Sequence, residues 1–130
     1  MAKFQSNFLI VNKTKGKLPR LPFVEMKNAV LGKSYSLGLI VIGNTLSRKL
    51  NFKYRKKNYP TDILSFPLNE NEGDIFLNLQ YAVKKAPQFD RNPKNFLCFL
   101  FIHALAHLKG LRHGSRMESE ERKIRAQFHV

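Results

Sequence analysis

The chain has 130 residues, of which 43% are hydrophobic and 25% charged, a composition typical of a globular domain with one core. Its 23 basic and 9 acidic residues leave a net charge of +14, which indicates a polyanionic partner. A single cysteine, Cys98, excludes an internal disulfide, and no apolar stretch approaches the ~20 residues of a membrane span. Because the N-terminus also resembles no secretory signal, we expect one soluble, cytoplasmic domain over residues 1–130.

Apolar periodicity and end signals divide the chain into strands and helices. Strands are expected over residues 4–11, 35–42, 62–66 and 75–77. Helices are expected over residues 22–31, about 45–52, 79–86, 93–109 and from 115 to about 127. Pro22 and Pro93 fit the first turn of a helix, and Asn78 and Asn92 fit the capping position. The sequence thus predicts an α+β fold, with a mixed sheet of about four strands packed with about five helices around a central buried helix.

The central helix is the one over residues 93–109, which is apolar nearly all round. It carries His103 and His107, which are four residues apart and therefore project from one face. Gly110 follows where a left-handed residue ends a helix, so that the returning chain can bring His113 towards the other two. Three neutral imidazoles around one open position are the ligands of a catalytic zinc site. We predict that they bind one divalent metal ion, with zinc expected, although histidine also accepts nickel, copper and iron.

The same spacing occurs in the zinc-protease signature His-Glu-x-x-His-x-x-Gly-x-x-His, but Ala104 stands in place of the glutamate. Because alanine cannot move a proton, peptide hydrolysis by the usual route lacks its general base. The plainer alternative is that the histidines are only packed or solvated side chains. That alternative suits a single histidine better than three at this spacing.

Charge is unevenly distributed along the chain. Residues 58–83 contain no lysine or arginine and carry −4, so that the remainder carries +18. Basic residues cluster at 13–20, 48–57, 84–94 and 109–125. A highly charged surface can serve solubility alone. A basic rim around a metal site, however, suits a phosphodiester substrate better than a peptide.

Two segments and a short motif between them resemble a known family. Residues 51–67, which read NFKYRKKNYPTDILSFP, resemble the segment that marks the YbeY family of bacterial rRNA maturation endoribonucleases. Gly73-Asp74-Ile75 follows in the family's order. Residues 103–113, HALAHLKGLRH, are similar to its signature His-Gly-x-Leu-His-Leu-x-Gly-Tyr-Asp-His, and the helix after it fits through Met117, Glu118 and Glu121. The resemblance covers about the C-terminal two thirds of the chain and is specific because separate motifs occur in the right order.

The resemblance implies a small metalloprotein that processes ribosomal RNA. The ribosome or ribosomal proteins are expected as further partners, whereas neither membrane binding nor specificity for DNA is expected. Carried over residue by residue, it implies His103, His107 and His113 as metal ligands and Arg55 as the arginine needed for RNA cleavage. The signature is broken at three positions, where glycine, tyrosine and aspartate are replaced by Ala104, Leu111 and Arg112. An aspartate beside the third ligand can orient it, and its replacement by arginine instead adds positive charge.

Arg55 lies in the basic run Lys53-Tyr54-Arg55-Lys56-Lys57, where a planar guanidinium could clamp a phosphate through two hydrogen bonds. Further substrate contacts are expected from Tyr54, Lys56, Lys57 and Arg112. Tyr54 could stack on an unpaired base, as could Tyr59. A solvated basic loop with packing tyrosines is the alternative.

We therefore hypothesise a metal-dependent endoribonuclease that acts on single-stranded ribosomal RNA. The metal would polarise a phosphoryl oxygen or activate water, and Arg55 would stabilise charge that grows on the phosphate. Two alternatives remain. One is a ribosome assembly factor whose metal is structural, and the other is a metalloprotease or other metal-dependent hydrolase, against which Ala104 counts.

Overall fold

A computed structural model describes the backbone of residues 2–5 and the backbone and side chains of residues 7–110 and 114–130. Five strands in these ranges form one sheet: β1 (Ala2–Gln5), β2 (Phe8–Asn12), β3 (Ser36–Ile42), β4 (Ile63–Asn69) and β5 (Glu72–Asn78). Their order across the sheet is β1-β2-β3-β5-β4. The three central strands run parallel, while β1 and β4 pair antiparallel with their neighbours. The predicted mixed sheet is confirmed.

The sheet has more strands than expected because the single strand predicted over residues 4–11 is a hairpin. Asn7 adopts a positive φ of 60°, a conformation that asparagine tolerates better than most residues. The chain reverses there, and Gln5 of β1 pairs with Phe8 of β2. Periodicity alone could not reveal this turn, since the apolar pattern continues on both sides of it.

The helices follow the predicted order, and the α+β class is confirmed. They are α1 (Phe23–Leu31), α2 (Asn44–Arg55), α3 (Leu79–Lys85), α4 (Pro93–Leu108) and α5 (Ser115–Gln127), with a short 3-10 helix over Ala86–Phe89. Two predicted caps form: Asn78 Oδ1 accepts from the Tyr81 N–H at 3.2 Å, and Asn92 Oδ1 accepts from the Asn95 N–H at 2.8 Å. None of the helices in the part of the chain that the structure describes is long and apolar enough to cross a membrane.

The predicted central helix is α4, which packs against α1, α3, α5 and β4. Ten of its 16 residues are buried, so that apolar side chains point away from the helix axis in almost every direction. Phe101 in its middle stacks on Phe8 of β2 and meets the edge of Phe23 in α1, with ring centroids 6.2 and 5.0 Å away. Past the last turn, Gly110 has the predicted positive φ, at 90°. Side chains on α4 are therefore mounted on a rigid element.

Polar side chains attach α2 to the loop that follows it. Its buried residues are Ser47 and Asn51, one turn apart. Ser47 Oγ donates to the Thr61 carbonyl and accepts from the Thr61 N–H, both at 2.9 Å. Asn51 Nδ2 donates to the Tyr59 carbonyl at 2.8 Å. These bonds hold the loop over residues 56–62 against α2 and fix the C-terminal end of the helix, where Arg55 lies.

Candidate functional site

The site is built on the exposed flank of α4. His103 and His107 are both half-buried, and their Nε2 atoms lie 3.1 Å apart. Their rings are nearly perpendicular, at 86°, with centroids 4.7 Å apart. Helix geometry produces this proximity directly, because residues four apart lie one above the other on one face. The structure thus brings together the first two of the predicted ligands.

Helix α5 contributes a buried carboxylate to the other side of His103. Both carboxylate oxygens of Glu121 lie 3.0 Å from His103 Nδ1. Glu121 is only 6% exposed, and its Oε1 also lies 3.6 Å from a guanidinium nitrogen of Arg125. A carboxylate oxygen accepts hydrogen bonds, so the neutral tautomer of His103 that fits this contact carries its hydrogen on Nδ1. That tautomer leaves the lone pair on Nε2, the atom that faces His107.

This arrangement fits two ligands of a histidine metal site. Nitrogen ligands at 2.0–2.1 Å from a tetrahedral zinc are roughly 3.3 Å apart, and the observed Nε2 separation is 3.1 Å. A metal-bound histidine also usually donates its second ring nitrogen to a carboxylate or carbonyl. Among the described residues, no group of three His, Cys, Asp or Glu side chains could hold an ion. The predicted third ligand, His113, lies outside the described residues, as does Arg112.

An open cleft of about 380 Å³ joins the two histidines to Arg55. Its other lining residues come from α4 and from the start of β4: Asp62, Ile63, Ser65, Phe99, Leu100 and Ala104. The small side chain of Ala104 lies on the same wall as the histidines. Arg55 and His103 are 48 positions apart in sequence, so their common cleft depends on how separate elements are arranged in the fold. The cleft can therefore present a guanidinium and two imidazoles to one ligand.

Asp62 is the one carboxylate among the described residues that line this cleft. Its Oδ2 lies 3.1 Å from Lys85 Nζ on α3, and its carbonyl accepts from the Asn78 N–H at 2.8 Å. The Asp62 side chain is largely buried, whereas that of Lys85 is about a third exposed. Asp62 thus joins the beginning of β4 to α3 and has its charge balanced within the wall of the cleft.

The remaining predicted contacts surround Arg55 on the surface. Tyr54, Lys56 and Lys57 are all exposed. The Tyr54 ring packs on Phe66, with centroids 4.7 Å apart, and Lys53 Nζ lies 5.3 Å from its centre. Lys56 ends α2 in the left-handed conformation, with φ of 61°. These side chains are open to a ligand that extends beyond the cleft.

Sequence reasoning did not assign a role to Glu121, although the chain carries a signal for it. Met117, Glu121 and Ile124 follow one face of α5 at helical spacing, and Phe128 continues this spacing just after the helix ends. Met117 is 1% exposed, and Ile124 and Phe128 pack against the core. A carboxylate among apolar residues on an inward face must find a polar partner, because burial of an unpaired charge is costly. Only packing of α5 on α4 reveals that the partner is His103.

Comparison with known proteins identifies one protein family. The family model described as "Endoribonuclease YbeY" matches residues 13–129. Curated proteins named Endoribonuclease YbeY include one from Phytoplasma mali, 39% identical over 93 residues that make up 68% of this chain and 62% of that protein. Another, from Prochlorococcus marinus, is 34% identical over 107 residues, which are 74% of this chain and 60% of that protein. The chain therefore spans about three fifths of the length of these relatives.

Among solved structures, the chain is similar to the solution structure of TM1509 from Thermotoga maritima. The TM-score is 0.63, and the match covers 94% of this chain and 91% of that one. Sequence identity is 21%, so this likeness establishes the fold alone. The sheet and helices described above therefore form an arrangement that an experimentally solved protein shares.

Proposed function

This chain belongs to the YbeY family, and from that premise we propose that it is an endoribonuclease that cuts single-stranded ribosomal RNA. The observation that carries the proposal is the cleft that Arg55 shares with His103 and His107. The matching family model and the two curated relatives described above carry the word endoribonuclease in their names. The net charge of +14 adds a sequence-independent attraction for a polyanion.

We assign His103, His107 and His113 as ligands of one divalent ion, with zinc as the expected metal. When bound, the ion would supply a Lewis acid that polarises a phosphoryl oxygen or activates water. Glu121 holds His103 with Nε2 turned towards His107, so that the ligand does not have to reorient. This preorganisation supports the assignment, because a metal-binding imidazole normally has such a partner.

Arg55 is the residue that we assign to the substrate phosphate. Its guanidinium presents several N–H donors in a plane, which matches two oxygens of a phosphodiester. The same donors stabilise the negative charge that grows on the phosphate in the transition state. Tyr54, Lys56, Lys57 and Arg112 would contact the RNA on either side, by stacking and by neutralising phosphates. The substrate therefore enters from the surface around the end of α2.

The proposed partners are ribosomal RNA and the ribosome or its proteins, in the cytoplasm, with neither a membrane nor DNA specificity. Ribosomal RNA presents unpaired loops and ends, whose bases an exposed tyrosine can reach. A protein that only assists ribosome assembly would use the same basic surface but would not need Arg55 beside the histidines. The two functions are thus separated by a test of cleavage.

The test compares wild type with Arg55→Ala, purified without a histidine tag and supplied with zinc, on an end-labelled single-stranded RNA. Removal of one charge-stabilising donor should lower the cleavage rate by about 10²- to 10³-fold. Because Arg55 is exposed, the circular dichroism spectrum and the zinc content should stay at their wild-type values.

Arg20→Ala is the matched control, since it removes an equally exposed arginine that does not line the cleft. It should cut as the wild type does. If Arg55→Ala and His103→Ala both fold and cleave at the wild-type rate, the activity belongs to a contaminant and the nuclease proposal fails.

A further inference from the structure

A second hollow, of about 300 Å³, lies on α2 away from the histidines. It is lined by Thr45, Arg48, Lys49, Phe52 and Asn58, and we call it the α2 hollow. None of these residues lines the cleft that contains Arg55 and the histidines. The α2 hollow is thus a distinct surface feature.

An aromatic ring and two cationic side chains meet in the α2 hollow. Phe52 is 54% exposed and presents an aromatic face to the solvent. Arg48 Nε donates to Asn58 Oδ1 at 2.9 Å, and this bond orients the guanidinium plane. Lys49 is exposed beside it. A flat apolar face next to positive charges is a combination that binds a nucleotide, with its base on the ring and its phosphate on the cations.

The register of α2 connects the hollow to the cleft. Arg48, Phe52 and Arg55 are separated by four and then three residues, so they follow one face of the helix. Arg48 and Arg55 are about 10 Å apart along the axis, at 1.5 Å per residue. The helix carries four basic and no acidic residues, so no acidic side chain of α2 offsets the positive charge at either site. A single polyanionic strand can follow this face from one site to the other.

We propose that the α2 hollow is a subsite for an unpaired nucleotide of the same RNA strand whose phosphate is held at Arg55. The base stacks on Phe52, and the adjacent phosphate is held by Arg48 and Lys49. This inference rests on the proposed function, since it concerns the path of the RNA substrate. The charge of the surface favours RNA over a protein segment, and stacking requires a single strand because a duplex hides its base faces.

The test measures the affinity of a 2′-O-methyl single-stranded oligoribonucleotide, which resists cleavage, for wild type and variants. Phe52→Ala should weaken binding by roughly 5- to 150-fold, since one stacked base contributes ~1–3 kcal/mol. Phe52→Tyr keeps an aromatic face and should bind nearly as well as wild type. Arg48→Ala should weaken binding most at low salt and reduce the salt slope by about one.

Leu68→Ala is the matched control, because Leu68 is a similarly exposed apolar residue, at 61%, outside the α2 hollow. Its affinity should equal that of wild type, and the loss for Phe52→Ala should vanish when the oligonucleotide is annealed to its complement.

If wild type binds the oligonucleotide but Phe52→Ala and Arg48→Ala bind it equally well, the subsite is overturned while the proposed function stands. If wild type itself binds no RNA, the proposed function fails first. A loss confined to ribosomal protein binding, with RNA affinity intact, would assign the α2 hollow to a protein and overturn the inference.

Discussion

Glu121 holds His103 through both of its carboxylate oxygens, each 3.0 Å from Nδ1. The carboxylate fixes the ring and raises the electron density at Nε2, so its loss should weaken the bond from His103 to a metal. We expect Glu121→Gln to lower zinc affinity about 10- to 100-fold, measured by competition with a chromogenic chelator.

Glu118→Gln is the control for that measurement, because Glu118 lies one turn earlier on α5 and pairs at the surface with Arg122. It should leave zinc affinity at the wild-type value. Equal affinities for Glu121→Gln and wild type would show that the carboxylate serves packing of α5 and has no part in metal binding.

Ser47→Ala should destabilise the protein more than its small change in volume suggests. The substitution removes both hydrogen bonds to the main chain of Thr61 and leaves those groups without their partner in a partly buried place. We expect the free energy of unfolding to fall by about 1–3 kcal/mol, measured by urea denaturation. Ser34→Ala, at an exposed position, should change it by less than about 0.5 kcal/mol. A small effect of Ser47→Ala would mean that the loop is held by other contacts.

Asp74 should make the protein less stable as its carboxyl ionises. Burial raises the pKa of Asp74, and the charge of Glu72 adds to this rise. The folded state therefore holds the proton more tightly than the unfolded chain does. Below the pKa of this carboxyl in the unfolded chain, near 3.9, its protonated form stabilises the fold. That stability is lost as the pH rises through the higher pKa of the carboxyl in the folded state.

Asp74→Asn removes this titration while keeping the shape of the side chain. We expect the variant to be more stable than wild type at pH 7, with a difference that shrinks as the pH is lowered towards 4. Urea denaturation at a series of pH values measures this difference directly. A difference that grows on acidification would contradict the raised pKa, since it would mean that the ionised carboxylate stabilises the fold.

Gly73→Ala should overpack the contact between β5 and α4. A Cβ atom at position 73 would lie 2.5 Å from Tyr35 Oη and 2.9 Å from Leu108 Cδ2, two side chains inside the core. We expect the free energy of unfolding to fall by about 1–3 kcal/mol. Gly16→Ala is the control, because its Cβ would meet only ordinary contacts of 3.5 and 3.7 Å. Similar midpoints in thermal melts of wild type and Gly73→Ala would indicate that Leu108 can move aside at little cost.

Local rules predicted those features that depend on a single element. The pairing of His103 with His107 follows from helical spacing, and the caps at Asn78 and Asn92 follow from residues that are close in sequence. Only the family resemblance assigned Arg55 to the site, because the proximity of Arg55 to the histidines depends on packing between separate elements. The partnership of Glu121 with His103 spans two helices and has the same origin.

The polar attachment of α2 was missed for a different reason. Hydropathy favours Leu46 and Leu50 as the inward-facing residues of this helix, yet both are half-buried, whereas Ser47 and Asn51 are buried. Hydropathy ranks a serine and an asparagine as surface residues, and it cannot foresee that the loop over residues 56–62 offers them main-chain partners. Hydropathy patterns therefore do not predict helix contacts that are made through hydrogen bonds.

The burial of α4 has a consequence for how a ligand enters and leaves the cleft. Amide hydrogens in the middle of a core helix exchange with solvent only when the whole fold opens, whereas those of surface segments exchange through local fraying. The backbone positions of His103 and His107 consequently stay one helical turn apart for as long as the molecule is folded. A ligand of this cleft can therefore enter and leave through its open mouth while α4 stays folded.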